Sequence, residues 1–351
     1  MIPYISLVFS LCVLFIFDHI LPKQKGRSFG VIVAVIITII FSIIRNNVGY
    51  DYANYVEFFS MDISKLIDRG LEWGFICSVS LLRLYTDNYF WLFFIYGVFT
   101  ILLVCRGIRL YTSNFKIAFL IFILTPGLFL NSFSILRQAL AIVLLFNAFF
   151  YYYKKEINKA LLWAGFAALF HYTVIAALPF LMISPKLAKN ARIIVLIGVP
   201  ISLILSQFNL VPKLIGLILS DSRFAAYATF SDIGTSLSKL IILNTVAFFY
   251  LCFYKLLNNL NKTLLVIVTL GLILTNICSD VAAITRIGYY FKIFDCVLLA
   301  NIVSLIKNPV IRAGVIVCIV TYYFCIFLNA LNVDSNLLFS PKLTPYQTFL
   351  D

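Results

Sequence analysis

Charged residues are scarce in this chain, and no polar stretch is long. Of the 351 residues, 12% are charged and 63% are hydrophobic. A membrane span needs about 20 predominantly apolar residues, and runs of this kind follow one another with no intervening segment long enough for a soluble domain. The composition therefore excludes a soluble multidomain protein. It predicts an all-α, polytopic integral membrane helical bundle that forms a single transmembrane domain over residues 1–351.

The sequence also lacks the short motifs of several enzyme classes. It contains no G-x-S-x-G, H-E-x-x-H, Walker loop or C-x-x-C, which argues against a serine hydrolase, a metalloprotease and an ATPase. The eight cysteines lie almost all inside apolar runs, and none sits beside a histidine at metal-ligand spacing. We interpret them as small core residues and predict no metal site.

A signal peptide is not indicated either. The segment from Met1 to Ile20 has no basic n-region and no small-residue cleavage site, so we predict a retained span. The formal net charge of +13 comes from basic residues in short loops between apolar runs. That is the positive-inside pattern of membrane proteins, and it is a stronger interpretation than nucleic-acid binding.

Ten full spans are predicted from the apolar runs. They lie at about 2–21, 29–44, 88–105, 117–132, 138–153, 193–211, 240–257, 263–280, 287–306 and 311–330. Two further segments fit less well, because 73–85 is short and contains Arg83, while 160–183 is interrupted by His171 and Pro179. We predict that both are re-entrant or interfacial, and a twelve-span arrangement is the alternative.

The charge distribution orients this arrangement. With ten spans, more than half of the basic residues fall in inner loops, and both termini are predicted to be periplasmic. The long outer loops are then 45–87 and 212–239. The inner loops include a basic group from Lys186 to Arg192.

A dense polar cluster follows the second span, from Arg45 to Tyr55. Its eleven residues include Arg45, Asp51 and the tyrosines Tyr50, Tyr52 and Tyr55. Such a cluster at a helix mouth is costly in a membrane protein unless it binds something. We interpret it as a site for a sugar-like or phosphorylated substrate. An interfacial loop with an aromatic belt is the alternative.

Four arginines fall on the predicted outer side, each beside Tyr or Asn or in an apolar run. They are Arg45, Arg137, Arg223 and Arg286. A guanidinium cannot shed its charge, and its paired donors match phosphate oxygens. Together they predict a site for an anionic lipid head group such as a pyrophosphate. For Arg137, snorkelling to the interface is the competing interpretation.

Two residues are candidates for a general base. His171 is the one histidine predicted within the membrane core, and an imidazole titrates near neutral pH. Asp51, in the outer loop among Tyr and Asn residues, is the other candidate. A histidine in an apolar helix is more often a satisfied core residue, so the pattern leaves both roles open.

Five short motifs in order resemble those of EpsG-type, Wzy-like polysaccharide polymerases. They are Arg45-x-x-x-Gly-x-Asp-x-x-x-Tyr, Glu72-Trp-Gly-Phe, Arg137-Gln-Ala-Leu-Ala, Phe170-His-Tyr-Thr and Arg286 with Tyr289 and Tyr290. The second has Trp73 where the family has proline. The resemblance covers about residues 30 to 300, most of the chain.

The resemblance implies a glycosyltransferase that polymerises O-antigen, capsule or exopolysaccharide at the periplasmic face of the bacterial inner membrane. It would move a glycan from an undecaprenyl-pyrophosphate carrier onto the terminal sugar hydroxyl of another lipid-linked repeat unit. A chain-length regulator and a flippase are the implied protein partners. No nucleotide, metal or other cofactor is needed, because the donor is already activated and arginines can stabilise its charge.

This activity gives roles to the polar residues. His171 and Asp51 are the candidate catalytic residues, and the four arginines are the candidates for binding pyrophosphate. The candidate sugar-binding residues are Tyr50, Tyr52, Tyr55, Glu72, Trp73 and Tyr289.

Two other classes compete with a polymerase. A flippase or transporter for lipid-linked sugars would share a basic cavity, but it should have repeat-related halves and basic residues deep in several spans. A membrane O-acyltransferase would use a buried histidine as base, but the inner loops are too short to build an acyl-CoA entrance.

Overall fold

The protein is helical throughout its described part. A computed structural model describes residues 1–20, 28–208, 236–279, 285–339 and 342–349, with residues 211, 213 and 281 between them. Six helical segments there are long and apolar enough to span a membrane: Phe90–Tyr111, Leu136–Tyr153, Val174–Phe208, Asn259–Ile277, Arg286–Leu305 and Pro309–Ser335. Shorter apolar helices accompany them. The predicted all-α, polytopic membrane fold is confirmed, while the placement of both termini in the periplasm stays a prediction.

The chain divides into two compact units, each with its own set of helices. The first comprises 1–172 and 306–351. Its helices are α1 (Ile2–Ile20), α2 (Phe29–Ile43), α3 (Tyr52–Ser60), α4 (Ile63–Asp68), α5 (Trp73–Arg83), α6 (Phe90–Tyr111), α7 (Phe115–Leu124), α8 (Leu136–Tyr153), α9 (Ile157–Phe170) and, near the C-terminus, α16 (Pro309–Ser335). The predicted outer loop 45–87 thus contains three short helices.

The second unit comprises 173–305. Its helices are α10 (Val174–Leu187), α11 (Ala191–Ile193), α12 (Val199–Leu205), α13 (Leu237–Cys252), α14 (Asn259–Ile277) and α15 (Tyr289–Leu305). A π-helical stretch, Ile194–Gly198, joins α11 to α12. Most of the predicted loop 212–239 lies outside the described residues.

The predicted full span 117–132 is wrong in extent. Helix α7 ends at Leu124, and only a single 3₁₀ turn, Asn131–Phe133, follows before α8. Pro126 supplies the reason, because it has no backbone N–H and disfavours helical backbone at the preceding residue. Thr125 accordingly has φ −90° and ψ 103°. The chain from 125 to 135 therefore folds as buried turns that lead into Arg137.

The stretch from 174 to 208 bends back on itself although it is helical almost throughout. Phe180 packs against Phe291, with ring centroids 6.2 Å apart, and Phe291 abuts Gly271 on α14. Gly198 packs against Ile273, only two residues further along α14. Straight helix would separate residues 180 and 198 by about 27 Å, so the two legs of this stretch reach the same end of α14.

The reversal coincides with the 3₁₀ turn Ala188–Asn190. The predicted inner loop is therefore a tight helical turn. Lys189 lies within this turn, and Lys186 and Arg192 lie on either side of it. The predicted interruption at Pro179 is wrong, because α10 continues through it. The interruption at His171 is confirmed, since α9 ends at Phe170 and His171 has extended backbone with φ −160° and ψ 117°.

Candidate active site

Glu72 joins two residues that are far from it in sequence. Its Oε1 lies 2.6 Å from Nδ1 of His171, and its Oε2 accepts a hydrogen bond from Nη1 of Arg137. The Glu72 carboxylate is nearly inaccessible, whereas about a fifth of each partner side chain is exposed. One carboxylate thus holds a guanidinium and an imidazole at the edge of the first unit.

Gly74 permits this arrangement. A Cβ atom at this position would lie 2.7 Å from the backbone oxygen of Leu169 and 2.9 Å from its carbonyl carbon, so only glycine lets α5 approach the end of α9 this closely. Glu72 stands immediately before α5 and His171 immediately after α9. The close packing of these two helix ends therefore brings the carboxylate to the imidazole.

The other residues of the Glu72-Trp-Gly-Phe motif also have identifiable roles. Phe75 is fully buried, and its ring lies under the Arg137 guanidinium at 5.4 Å, a favourable cation–π arrangement. Trp73 is the first residue of α5, and its side chain is exposed. Proline is well suited to the first position of a helix, and Trp73 occupies that position here.

Arg137 opens α8 at a place where a cation is not stabilised by the helix. The N-terminus of a helix carries partial positive charge, so the Glu72 carboxylate and the Phe75 ring must compensate. The Tyr55 hydroxyl interacts with the same guanidinium by a hydrogen bond. Nε of Arg137 is buried, and none of the described residues accepts a hydrogen bond from it.

Glu72 remains ionised in this setting. Burial raises the pKa of a carboxyl group, but the hydrogen bond from His171 and the positive charge of Arg137 outweigh it, and the pKa of Glu72 lies below its usual value. His171 lies at the C-terminal end of α9, and Glu72 holds its Nδ1. Nε2, the other nitrogen of the imidazole, has no hydrogen-bonding partner in the described part of the chain.

Arg45 occupies a separate, deeper position in the first unit. It is 1% exposed, and its guanidinium lies 5.3 Å from the Phe93 ring and 4.6 Å from the Phe133 ring. Nη1 donates to the Ser42 carbonyl, whereas Nε and Nη2 have no partner within the part of the chain that the structure describes. Burial lowers the pKa of Arg45 to about 10, so it is still charged at neutral pH.

The loop that carries Arg45 also contacts the turn before Arg137. Gly49 has φ +116°, and a Cβ atom there would lie 2.3 Å from the Phe133 carbonyl oxygen. Both the positive φ and the close approach of the Phe133 carbonyl therefore exclude a side chain at this position. The next residue, Tyr50, donates its backbone N–H to Ser134 Oγ at 2.9 Å. The first motif thus packs, through Gly49, against the turn that precedes the third motif.

The remaining predicted sugar-binding residues differ widely in exposure. Tyr52 and Tyr55 are buried, and the Tyr52 ring stacks on Phe93 at 4.4 Å. Tyr50 is 36% exposed. Asp51 is half-buried and precedes α3 without capping it through its side chain.

Three predicted residues lie elsewhere. Arg286 and Tyr289 belong to the second unit, where Arg286 is exposed in a 3₁₀ turn and Tyr289 is half-buried. Arg223 lies outside the described residues. The first unit therefore brings together Glu72, Arg137, His171 and Tyr55. The motif analysis identified each of them but assigned Glu72 to sugar binding and did not predict the carboxylate bridge.

These features define the class of protein. The described chain is a multi-pass helical membrane protein with a bridged Arg–Glu–His cluster at helix ends. The model of the EpsG family matches residues 28–348, and the chain belongs to this family. It is accordingly a membrane protein of the polysaccharide-polymerase type, with glycosyltransferase-like function. Comparison with curated proteins and with solved structures finds no match.

Proposed function

We propose that this protein polymerises a bacterial surface polysaccharide by glycosyl transfer between undecaprenyl-pyrophosphate-linked repeat units at the periplasmic face of the inner membrane. The observation that carries the proposal is the Glu72 carboxylate bound to both His171 and Arg137. This arrangement pairs a base with a permanent cation. A transfer that removes a proton from a hydroxyl and releases a pyrophosphate needs both.

His171 is the general base in this reaction. Its Nε2 takes the proton of the acceptor hydroxyl as that oxygen bonds to the donor's anomeric carbon, while the bond from this carbon to the pyrophosphate breaks. Glu72 accepts the hydrogen bond from Nδ1–H, which orients the ring and stabilises the imidazolium that forms. The departing pyrophosphate needs no proton, because its charge is delocalised over phosphate oxygens.

The arginines bind the pyrophosphate in this proposal. Nε of Arg137 and two nitrogens of Arg45 are buried donors that no described residue pairs with, and phosphate oxygens are suitable acceptors for them. Because Arg45 is nearly inaccessible, it acts only if the segments covering it move. Arg286 and Arg223 are further candidates. A chain-length regulator and a flippase are proposed partners.

Carbohydrate analysis of a deletion strain tests the function. We expect a single repeat unit on the surface glycan in place of a polymer, and long chains again when the wild-type gene is restored. Complete absence of the glycan would favour a flippase instead. Unchanged chain length would contradict both functions.

Two substitutions in the restored gene test the base. His171→Gln keeps hydrogen-bonding capacity but not basicity, and we expect the rate of polymerisation to fall roughly 10²–10⁴-fold, the usual contribution of general-base catalysis. Asp51→Asn makes the matched change in the carboxylate, and we expect a much smaller loss. Near-normal polymer from the His171 variant, at normal protein level, would transfer the base role to Asp51.

A further inference from the structure

The C-terminal segment 342–349 lies along the loop that carries Arg45. Isolated bridges pair Arg45 with Thr348 and Val48 with Lys342. Three backbone hydrogen bonds join the two segments, from Phe349 to Ile44 at 3.0 Å, from Asn46 to Gln347 at 2.9 Å and from Gly49 to Lys342 at 3.1 Å. The segment 342–349 therefore pairs with the loop that contains the first motif.

Asp334, near the end of α16, accepts hydrogen bonds from both the Arg45 loop and the C-terminal segment. It is 1% exposed. Its Oδ1 accepts hydrogen bonds from the Tyr50 hydroxyl at 2.7 Å and the Leu343 amide at 3.0 Å. Its Oδ2 accepts from the amide and the hydroxyl of Thr344 at 2.7 and 2.6 Å. A carboxylate has about four acceptor positions, and these four neutral donors use them. Burying a carboxylate is costly without such hydrogen bonds. The four donors therefore make the buried position of Asp334 possible.

Tyr50 is the partner that points to function. Its amide is held by Ser134 and its hydroxyl by Asp334, while 36% of the residue stays exposed. Ser134 lies three residues before Arg137. Tyr50 is thus held at its backbone amide, beside the N-terminal end of α8, and at its ring hydroxyl, and its ring also lies 5.9 Å from the Phe339 ring. A fixed ring loses little side-chain entropy when a ligand stacks on it.

We propose that Asp334 is a positioning residue that acts through the Tyr50 hydroxyl and holds the Tyr50 ring as a stacking surface for the acceptor sugar. The C-terminal segment is the second group that Asp334 holds, and it supports the Arg45 loop from the other side. This inference rests on the proposed polymerase function for the identity of the ligand. It adds a role for Asp334 and for residues 342–349, which lie in none of the five motifs.

The test uses purified full-length protein in proteoliposomes, with lipid-linked repeat units extracted from a strain that lacks this gene. Rates of polymer formation are measured against the concentration of these units. Tyr50→Phe removes the hydroxyl but keeps the ring, and Asp334→Asn weakens the acceptor. We expect each variant to raise KM about tenfold, the size expected for loss of a hydrogen bond to a charged group, with kcat within about twofold of wild type.

Thr344→Val is the matched control. It also removes one hydrogen bond to Asp334, but on the side of the C-terminal segment, and we expect KM to change less than about twofold. The double variant of Tyr50→Phe and Asp334→Asn should resemble either single variant, because both remove the same bond. If Asp334→Asn does not fold, the KM of Tyr50→Phe by itself tests whether the hydrogen bond between Tyr50 and Asp334 contributes to substrate binding.

The outcomes separate this inference from the proposed function. An unchanged KM in Tyr50→Phe, with active wild-type protein, overturns the role of Tyr50 and Asp334 and leaves the polymerase standing. Equal effects of Tyr50→Phe and Thr344→Val would mean that Asp334 only fastens the C-terminal segment, which also overturns it. Failure of the wild-type protein to form polymer from these units overturns the proposed function and, with it, this inference.

Discussion

Glu72 illustrates how much a single residue depends on its partners. The family resemblance places it among the candidate sugar-binding residues. In the folded protein, both of its oxygens are used within the site, one by His171 and the other by Arg137. Removing one partner of a buried ion pair leaves the other charge uncompensated, which typically costs about 3–5 kcal/mol.

Substitution of Glu72 should therefore change how stability depends on pH. The folded protein holds the pKa of Glu72 below its ordinary value of 4.5, so the carboxylate stabilises the fold above that pH. This contribution is lost as the pH falls through the lowered pKa. At pH 7 we expect Glu72→Gln to reduce the free energy of unfolding in detergent by about 3 kcal/mol. Below pH 4.5 the difference should shrink as the wild-type carboxyl is protonated.

Glu57→Gln is the control for this measurement. Glu57 pairs with Arg69 at 2.9 Å, but about half of each side chain is exposed, and exposed pairs contribute at most about 1 kcal/mol. Thermal unfolding of both variants, followed from pH 7 to well below pH 4.5, makes the comparison. Equal stability curves for the two variants would show that the Glu72 bridge does not stabilise the fold.

At the scale of elements, the site depends on how closely α5 meets the end of α9. Gly74 sets this distance, because any Cβ atom would collide with the Leu169 backbone. Backbone cannot yield as a flexible side chain can, so an added methyl group must move one helix end. The 2.6 Å contact between Glu72 and His171 would then lengthen.

Gly74→Ala should therefore lose activity through a displaced helix. A misplacement of about 1 Å at a catalytic group can cost roughly 10²-fold in rate, and we expect a loss of this order in polymer formation. Gly165→Ala is the matched control on α9, because a Cβ atom there meets nothing within 4 Å. We expect that variant to keep its activity and gain up to about 1 kcal/mol from better helix propensity. Similar activity of the two variants would show that the close packing of Gly74 on Leu169 is not required for activity.

Helix limits show where local sequence signals suffice and where they do not. The end of α7 follows from Pro126, a breaker visible in the sequence. Proline at 179 and 185, by contrast, lies inside α10, where the membrane and the packing of α10 on its neighbours outweigh the local preference. The reversal near Ala188 has no glycine or proline at the turn itself, and only its basic residues indicated it.

At the scale of the whole molecule, the orientation in the membrane remains to be measured. In a variant without native cysteines, Asn158→Cys and Lys189→Cys place labels at exposed positions in the first turn of α9 and in the turn after α10. The positive-inside pattern predicts that both face the cytoplasm. A membrane-impermeant maleimide added to intact cells should therefore label neither.

Ser64→Cys is the outer control, because Ser64 is exposed on α4 within the predicted periplasmic loop. It should react from outside. Labelling of Lys189→Cys from the periplasm would contradict the predicted re-entrant placement of 160–183. Membership of the EpsG family does not depend on that result.

The sequence by itself determined that this is a helical membrane protein and which residues carry its motifs. Long apolar runs leave few alternatives, since in lipid each backbone polar group must be satisfied within a helix. Each motif could likewise be recognised from a few neighbouring residues. Local patterns of this kind need no knowledge of distant partners.

Only the tertiary structure decided which of those residues meet. Glu72 is 99 residues from His171 and 65 from Arg137, and Asp334 is 284 from Tyr50. These contacts depend on helix ends that pack within an atom's width of each other, as Gly74 does with Leu169. No local propensity encodes such distances, because they result from the packing of complete helices against one another.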